Sequence, residues 1–344
     1  MTSTRSTAHA RRAAGARRTL RPPSRFRAAA AATTLAVASA CLLSGYAGPA
    51  RAAAPACETA PSDSFWRAPV DTLPVHPDSA RYVSSIGSDA PLHPDFGSGL
   101  VDGRPIGIPV TVSDTAVPES RVTFDVPEES DPSGYRIPPG ARIEKGPASD
   151  GDRHVVVWDR GLCKSYELYD AEPRGGNTWH AGSGAVFDLR SNELRPDGWT
   201  SADAAGLAIL PGLVRHDEAA SGRIDHAIRI TVPRSDQSYV WPARHQAGAA
   251  ADPSLPPMGL RLRLKSSVDT SKLEPQARAV ADALKTYGAI VADNGSAWFI
   301  SGEENAAWDN DQLAALKGFK GSDFEAVDTS GLGRSPDSGA VAPR

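Results

Sequence analysis

The 344-residue chain is poor in cysteine, in long apolar runs and, past its first fifty residues, in net positive charge. Its three cysteines have no cluster of histidines beside them, which leaves no zinc-binding spacing. The longest apolar run, from Ala28 to about Ser44, is shorter than the roughly 20 residues a membrane-spanning helix needs. Also missing are the Gly-x-Ser-x-Gly elbow, the His-Glu-x-x-His helix, a phosphate-cradling Gly-rich loop and a dinucleotide fingerprint. Asp150-Gly151-Asp152 is too short to be a calcium loop on its own, and the chain carries no internal repeat. The reading at this level names no metal and no cofactor.

What is present begins with nine arginines and no acidic residue up to Ala52, followed by the Ala-rich apolar run and the small-x-small triplet Ala50-Arg51-Ala52. That order is a charged region, an apolar region and a cleavage site, and it predicts that residues 1–52 are an export signal, removed to leave a secreted chain with no membrane segment. Arg17-Arg18-Thr19-Leu20 resembles a twin-arginine signal and leaves the export route open. Ala38-Ser39-Ala40-Cys41 is a poor lipid-attachment sequence, because Ala stands three positions before the cysteine and apolar residues continue past it. Without those nine arginines, 28 basic residues face 41 acidic ones. An acidic surface argues against nucleic-acid binding, which relies on neutralising phosphates. Cys57 and Cys163 then remain as an even pair in an oxidising compartment, and a disulfide between them is predicted.

Residues 53–105 are rich in Pro, Ser and Asp but carry the apolar anchors Phe65, Trp66, Leu73, Val75, Tyr82, Val83 and Ile86. An irregular segment packed on the core is predicted there, with a short helix near 80–86. From Ile106 to about 330 the pattern is period-two alternation broken by Gly, Pro and Asp. Strands are predicted over 108–112, 121–126, 142–145, 154–158, 164–169, 185–189, 226–232, 239–241, 260–265, 289–292 and 298–300. Asp159-Arg160-Gly161-Leu162 and Asp293-Asn294-Gly295-Ser296 read as hairpin turns. Leu273–Tyr287 and Asn310–Leu316 read as helices, and 331–344 as a disordered tail. The expected class is mainly β, a sandwich or jelly roll with one or two covering helices.

The most site-like stretch is 181–215. Asp188, Asp197, Trp199, Thr200, Ser201 and Asp203 fall within sixteen residues there. Its plainer reading is a capping box, Thr200 to Asp203, opening a one-turn helix. Alternation in 226–232 and 260–265 sets Arg229, and Arg261, Arg263 and Lys265, on faces opposite their aliphatic neighbours. With Trp241 and Arg244 nearby, such a face suits an anionic sugar polymer, although a solvated outer face paired with carboxylates has the same pattern. His245 follows Arg244 and is a candidate acid or base, or a loop histidine bonded to the backbone. Hydrolysis of a glycosidic bond needs two carboxyls, for which Asp188, Asp197, Asp203 and Glu167 qualify. Elimination from a uronic-acid polymer needs a cation and a base, for which His245 or His226, Arg244, Arg261, Lys265 and Tyr287 qualify. The acidic alternation of laminarinase-like sandwich enzymes is broken here, where Tyr169 stands in the place of the middle Asp.

Asp152–Asp159, Cys163–Asp170, Ser183–Leu213, Trp241–His245 and Ala292–Gly302 together resemble a group of exported proteins from actinobacteria and other soil bacteria. The resemblance covers most of the chain after residue 52. It implies export and a single β-rich domain, and it carries over no catalytic residue. The expectation is therefore a secreted carbohydrate-active protein that cleaves a cell-wall or uronic-acid-containing polysaccharide. Asp197, Asp203 and His245 are the catalytic candidates, and Asp188, Trp199, Arg229, Trp241, Arg244, Arg261, Arg263 and Lys265 the substrate-binding ones. The alternative is a non-catalytic glycan-binding or envelope-associated protein. The oligomeric state is left open.

Overall fold

The computed structural model describes residues 56–343 apart from residue 115, so the predicted export signal and Cys41 lie outside the described residues. The β-rich class with a few helices is what the described chain adopts. Its strands divide among several sheets, and a face-to-face sandwich of two of them is not confirmed. Among the described residues no helix is long and apolar enough to cross a membrane.

A six-stranded mixed sheet is central. Its order is His93–Asp95, Phe299–Ser301, Ile228–Val232, Ala289–Asn294, Arg261–Leu264 and Phe324–Ala326. Ile228, Ile230 and Val232 are fully buried, as are Ile290 and Val291 beside them and Leu262 and Leu264. This is why these strands read as β-branched and aliphatic runs. The helix Pro275–Thr286 begins with proline, buries Ala277, Val280, Ala281 and Leu284 along one stripe, and belongs to the same core cluster.

A four-stranded sheet forms a second layer of structure, in the order Ser183–Asp188, Lys164–Tyr169, Val155–Asp159 and Val110–Ser113. The predicted turn at 159–162 joins the antiparallel pair Val155–Asp159 and Lys164–Tyr169. Cys57 and Cys163 form the predicted disulfide, with Cα atoms 5.3 Å apart across a separation of 106 residues. Closing a loop of that size contributes up to about 4–5 kcal/mol by the chain-entropy argument.

Four local expectations differ from the structure. The 293–296 segment is not a hairpin turn, because Ile228–Val232 lies between the two strands it joins and pairs with both. Residues 142–145 and 239–241 are not strands; Tyr239 makes only an isolated bridge to Met258. The tail is ordered as a ribbon, Gly333–Ser335 against Ser338–Val341, held because Leu332 and Val341 pack with Val70 and Val327. The cationic face of 260–265 is not solvated. Instead, the N-terminal segment crosses it, and the arginines bind its carbonyls.

That docking is specific. Arg261 is 1% exposed and donates to the carbonyls of Phe65, at 2.8 Å, and Tyr287, at 2.5 Å. Burial pushes its pKa down to about 9, which still leaves it charged at neutral pH. Arg263 donates to the carbonyls of Val70, Asp71 and Leu73 and pairs with Glu325. The irregular segment has almost no regular backbone pairing of its own, so these guanidinium forks supply the partners that its carbonyls would otherwise lack.

Candidate functional site

Where the four-stranded sheet, the 200–204 loop and the end of the Ala289–Asn294 strand meet, a cleft of about 500 Å³ opens. Asp125, Asp152, Asp170, Asp203 and Asp293 line it, together with Tyr169, Thr200, Ser201 and Asn294. No Lys, Arg or His is among its lining residues. Two arginines bind its lining carboxylates: Arg153 pairs with Asp170, and Arg229 lies beneath the cleft.

Arg229 projects from the central strand and is 4% exposed. Its Nε and Nη2 donate to the two carboxylate oxygens of Asp203, at 2.9 and 3.1 Å. Nη2 also donates to Asp293 and Nη1 to the Ser301 hydroxyl. One guanidinium therefore neutralises two buried carboxylates. Burial raises the pKa of both, against the pull of Arg229, and Asp293 is held at about 6. Asp203 is fully buried, whereas the Asp293 side chain keeps 26% of its surface exposed and borders the cleft.

The 200–204 loop is built by short side-chain bonds and contains no helix. The Ser201 hydroxyl accepts from Asp203 N–H and donates its one hydrogen to the Leu207 carbonyl at 2.6 Å, with the Asp203 carbonyl 2.9 Å away. The capping-box expectation fails because the Asp203 carboxylate is turned to Arg229. Behind the loop, His154 lies 3.2 Å through Nε2 from the Ala202 carbonyl and 2.6 Å through Nδ1 from Glu144 Oε2. Burial opposes charge on this ring, but Glu144 outweighs it and the His154 pKa is raised; burial likewise opposes charge on Glu144, and His154 outweighs it and lowers the Glu144 pKa.

Glu167, a candidate carboxyl in the sequence reading, is fully buried beneath the neighbouring turn. It accepts from the backbone N–H of Ile209 and Leu210 and from the Ser165 hydroxyl. Its pKa is raised by burial. It serves the backbone there and does not reach the cleft lining.

The sequence-predicted residues separate into several locations. Asp203 and Arg229 come together. His245 donates from Nδ1 to the carbonyl of Ala204, a cleft residue, with Nε2 3.7 Å from Glu129. Asp197 accepts from the Tyr239 hydroxyl and stands 3.7 Å from Arg244. Arg244 itself is buried and spends its donors on the carbonyls of Arg195 and Pro336 and on Asp337. Trp199 is half-buried beneath the Arg195 guanidinium. Asp188 is exposed and caps its own turn at Arg190 N–H. It borders a different hollow, of about 290 Å³, with Phe65, Trp66 and Phe187. Trp241 donates to the Ser338 carbonyl and lines a third hollow with Tyr82 and His76. Lys265 donates to the Ser322 carbonyl. Arg261, Arg263 and Lys265 therefore do not share a hollow with the 197–203 loop. The two arginines serve the docking of residues 65–73, and Lys265 the turn at Ser322.

Sequence reasoning missed Asp293, Asp125, Asp152, Asp170, Glu144 and His154. One signal was available for Asp293: it directly continues the apolar run Ala289–Ala292, so its carboxyl had to meet a buried cation. Its partner came from the neighbouring strand Ile228–Val232, as Arg229. The chain matches no protein-family model, no curated protein and no solved structure.

Proposed function

We propose that this chain is a carbohydrate-active protein of the cell exterior that hydrolyses a neutral or amine-bearing polysaccharide in the aspartate-lined cleft. The observation that carries the reading is the pairing of an Asp293 carboxyl held at about 6 with other carboxyls, Asp125 and Asp170 among them, around one open cleft. A carboxyl of that pKa keeps its proton far more often than an ordinary aspartate and suits protonation of a leaving oxygen. A second, ionised carboxyl is what hydrolysis requires from the opposite side. Asp293 takes the acid role in this reading and Asp170 the base or nucleophile role, while Asp203 and Arg229 tune Asp293 from below.

Hydrolysis is preferred to elimination on electrostatic grounds. Elimination needs a free cation against the substrate carboxylate, and Arg153, which pairs with Asp170 of the cleft, Arg229, Arg261, Arg263 and Lys265 are all engaged by protein acceptors. An acidic cleft also repels a uronic-acid chain. The binding-only alternative has its own support in the hollow of about 490 Å³ lined by Trp241, Tyr82 and His76, since ring faces of this kind cover sugars without performing chemistry.

Incubation of the purified protein with neutral, amino-sugar and uronic-acid polysaccharides tests the reading. Reducing ends are expected from one of the first two classes, without the ultraviolet-absorbing unsaturated ends of elimination. Asp293→Asn is expected to lower turnover at least ~100-fold with binding retained. Binding without any new reducing ends would favour the non-catalytic reading, and neither binding nor cleavage across the panel would end both.

A further inference from the structure

Beside the cleft, Glu144, Asp152 and His154 each bring one ligand atom, a ring nitrogen and two carboxylate oxygens, to within 4.8 Å of one another. Glu144 and His154 are buried, and Asp152 is exposed and borders the cleft. Asp152 and His154 flank Arg153, which adopts a left-handed φ of 45°. That turn brings two residues on either side of it to one cluster. Donors around a single tetrahedral zinc ion, at about 2.0–2.2 Å from it, stand roughly 3.3–3.6 Å apart. To bind one, the widest separation must therefore close by no more than about 1.5 Å, while His154 Nδ1 and Glu144 Oε2, now 2.6 Å apart, open by about an ångström or less. Asp152 makes no side-chain bond that would resist the movement among the hydrogen bonds and ion pairs of the described residues.

The histidine is already set for the task. Its Nε2 faces the Ala202 carbonyl at 3.2 Å, so an N–H there is donated outward to the backbone. This leaves Nδ1 directed at Glu144 Oε2, 2.6 Å away, in the middle of the cluster. A ligating imidazole whose other nitrogen is fixed by a backbone carbonyl is the usual arrangement at metal centres. A purely structural ion pair would need only Glu144 and His154. It gives no reason for a third, exposed carboxylate to join them.

We propose that Glu144, Asp152 and His154 form a divalent-metal site, with zinc the ion that suits one imidazole and two carboxylates, and with its remaining position open on the side where Asp152 borders the cleft. On binding, the ion takes the place of the proton between Nδ1 and Glu144, and that proton leaves to solvent. Lys145 lies 4.0 Å from the other Glu144 oxygen, on a half-exposed stem that can turn to water. This site does not depend on the glycan reading.

The test uses the full chain, stripped with a chelator and titrated with zinc by calorimetry in the absence of any sugar, with calcium as the control. One zinc per chain and weaker calcium binding are expected, because calcium prefers an all-oxygen shell of six or more ligands. Asp152→Asn, whose exposed position leaves the fold intact as checked by circular dichroism, is expected to weaken zinc at least ~10-fold, the effect seen even for outer-shell partners. Cobalt(II) bound in place of zinc should show visible absorption bands that Asp152→Asn alters. Absence of saturable zinc binding overturns the proposal. So does binding of equal affinity in the wild type, Asp152→Asn and Glu144→Gln, since that would locate the ion elsewhere.

Discussion

Arg229 grips both carboxylate oxygens of Asp203 at the boundary between the central sheet and the cleft, at 2.9 and 3.1 Å, with neither side chain reaching solvent. Asp203 begins in a loop of the second layer and Arg229 in the innermost strand of the first, so the pair ties the two together. Removing one partner strands the other as a buried charge.

Asp203→Asn is accordingly expected to destabilise the fold by about 3–5 kcal/mol, read from urea denaturation. The same substitution leaves Arg229 to Asp293 alone and removes a neighbouring negative charge. The Asp293 pKa should then fall below about 6, which carboxyl-carbon NMR titration would follow. An unchanged Asp293 titration would show that the two carboxyls do not share the guanidinium.

The pH dependence of stability carries a definite sign. Asp293 holds its proton more tightly folded, at about 6, than in the unfolded chain, where an aspartate titrates at about 3.9. Its contribution is therefore fully present below about pH 4 and is lost as pH rises through about 6, by about 1–3 kcal/mol. Comparing unfolding free energies of the wild type and Asp293→Asn across that window should show a larger loss in the wild type, by that amount.

Glu167→Ala is expected to cost about 2–5 kcal/mol, because it leaves the buried N–H groups of Ile209 and Leu210 without their acceptor. Hydrogen exchange at those two amides should accelerate more than at Ile230 in the central strand. Equal acceleration at both would mean that the carboxyl stabilises the molecule globally and does not act on this turn.

Arg263→Ala should release the N-terminal segment locally, since the carbonyls of Val70, Asp71 and Leu73 lose a common donor. Limited proteolysis between about residues 68 and 78 is expected to quicken, with little change at the helix Pro275–Thr286. Resistance equal to that of the wild type would show that the apolar anchors hold the segment unaided.

These positions also mark how far the sequence could be read. Strand 260–265 was legible because Leu262 and Leu264 alternate with Arg261 and Arg263, and the structure keeps that alternation. What covers the arginine side was not legible, because a guanidinium bound to carbonyls and one bathed in water leave the same letters. Local turn chemistry misled at Asn294-Gly295, where a strand from sixty residues upstream is inserted between the flanking segments. The disulfide followed from two cysteines and a leader-like start, with no geometry required. The Asp203–Arg229 contact is a long-range pairing, and each partner alone resembled something else: a helix cap in one case, a surface cation in the other.

The order of strands in the central sheet sets a schedule for the polymer. His93–Asp95 pairs with Phe299–Ser301, and the outer side of Arg261–Leu264 with Phe324–Ala326, so neither edge can close until residues 299 and 324 have been synthesised. A nascent chain ending before about residue 300 can pair only Ile228–Val232, Ala289–Asn294 and Arg261–Leu264 in this sheet, with both of its edges still open. Completion of the sheet therefore belongs to residues 299–326, which supply the partner of one edge strand and the whole of the other.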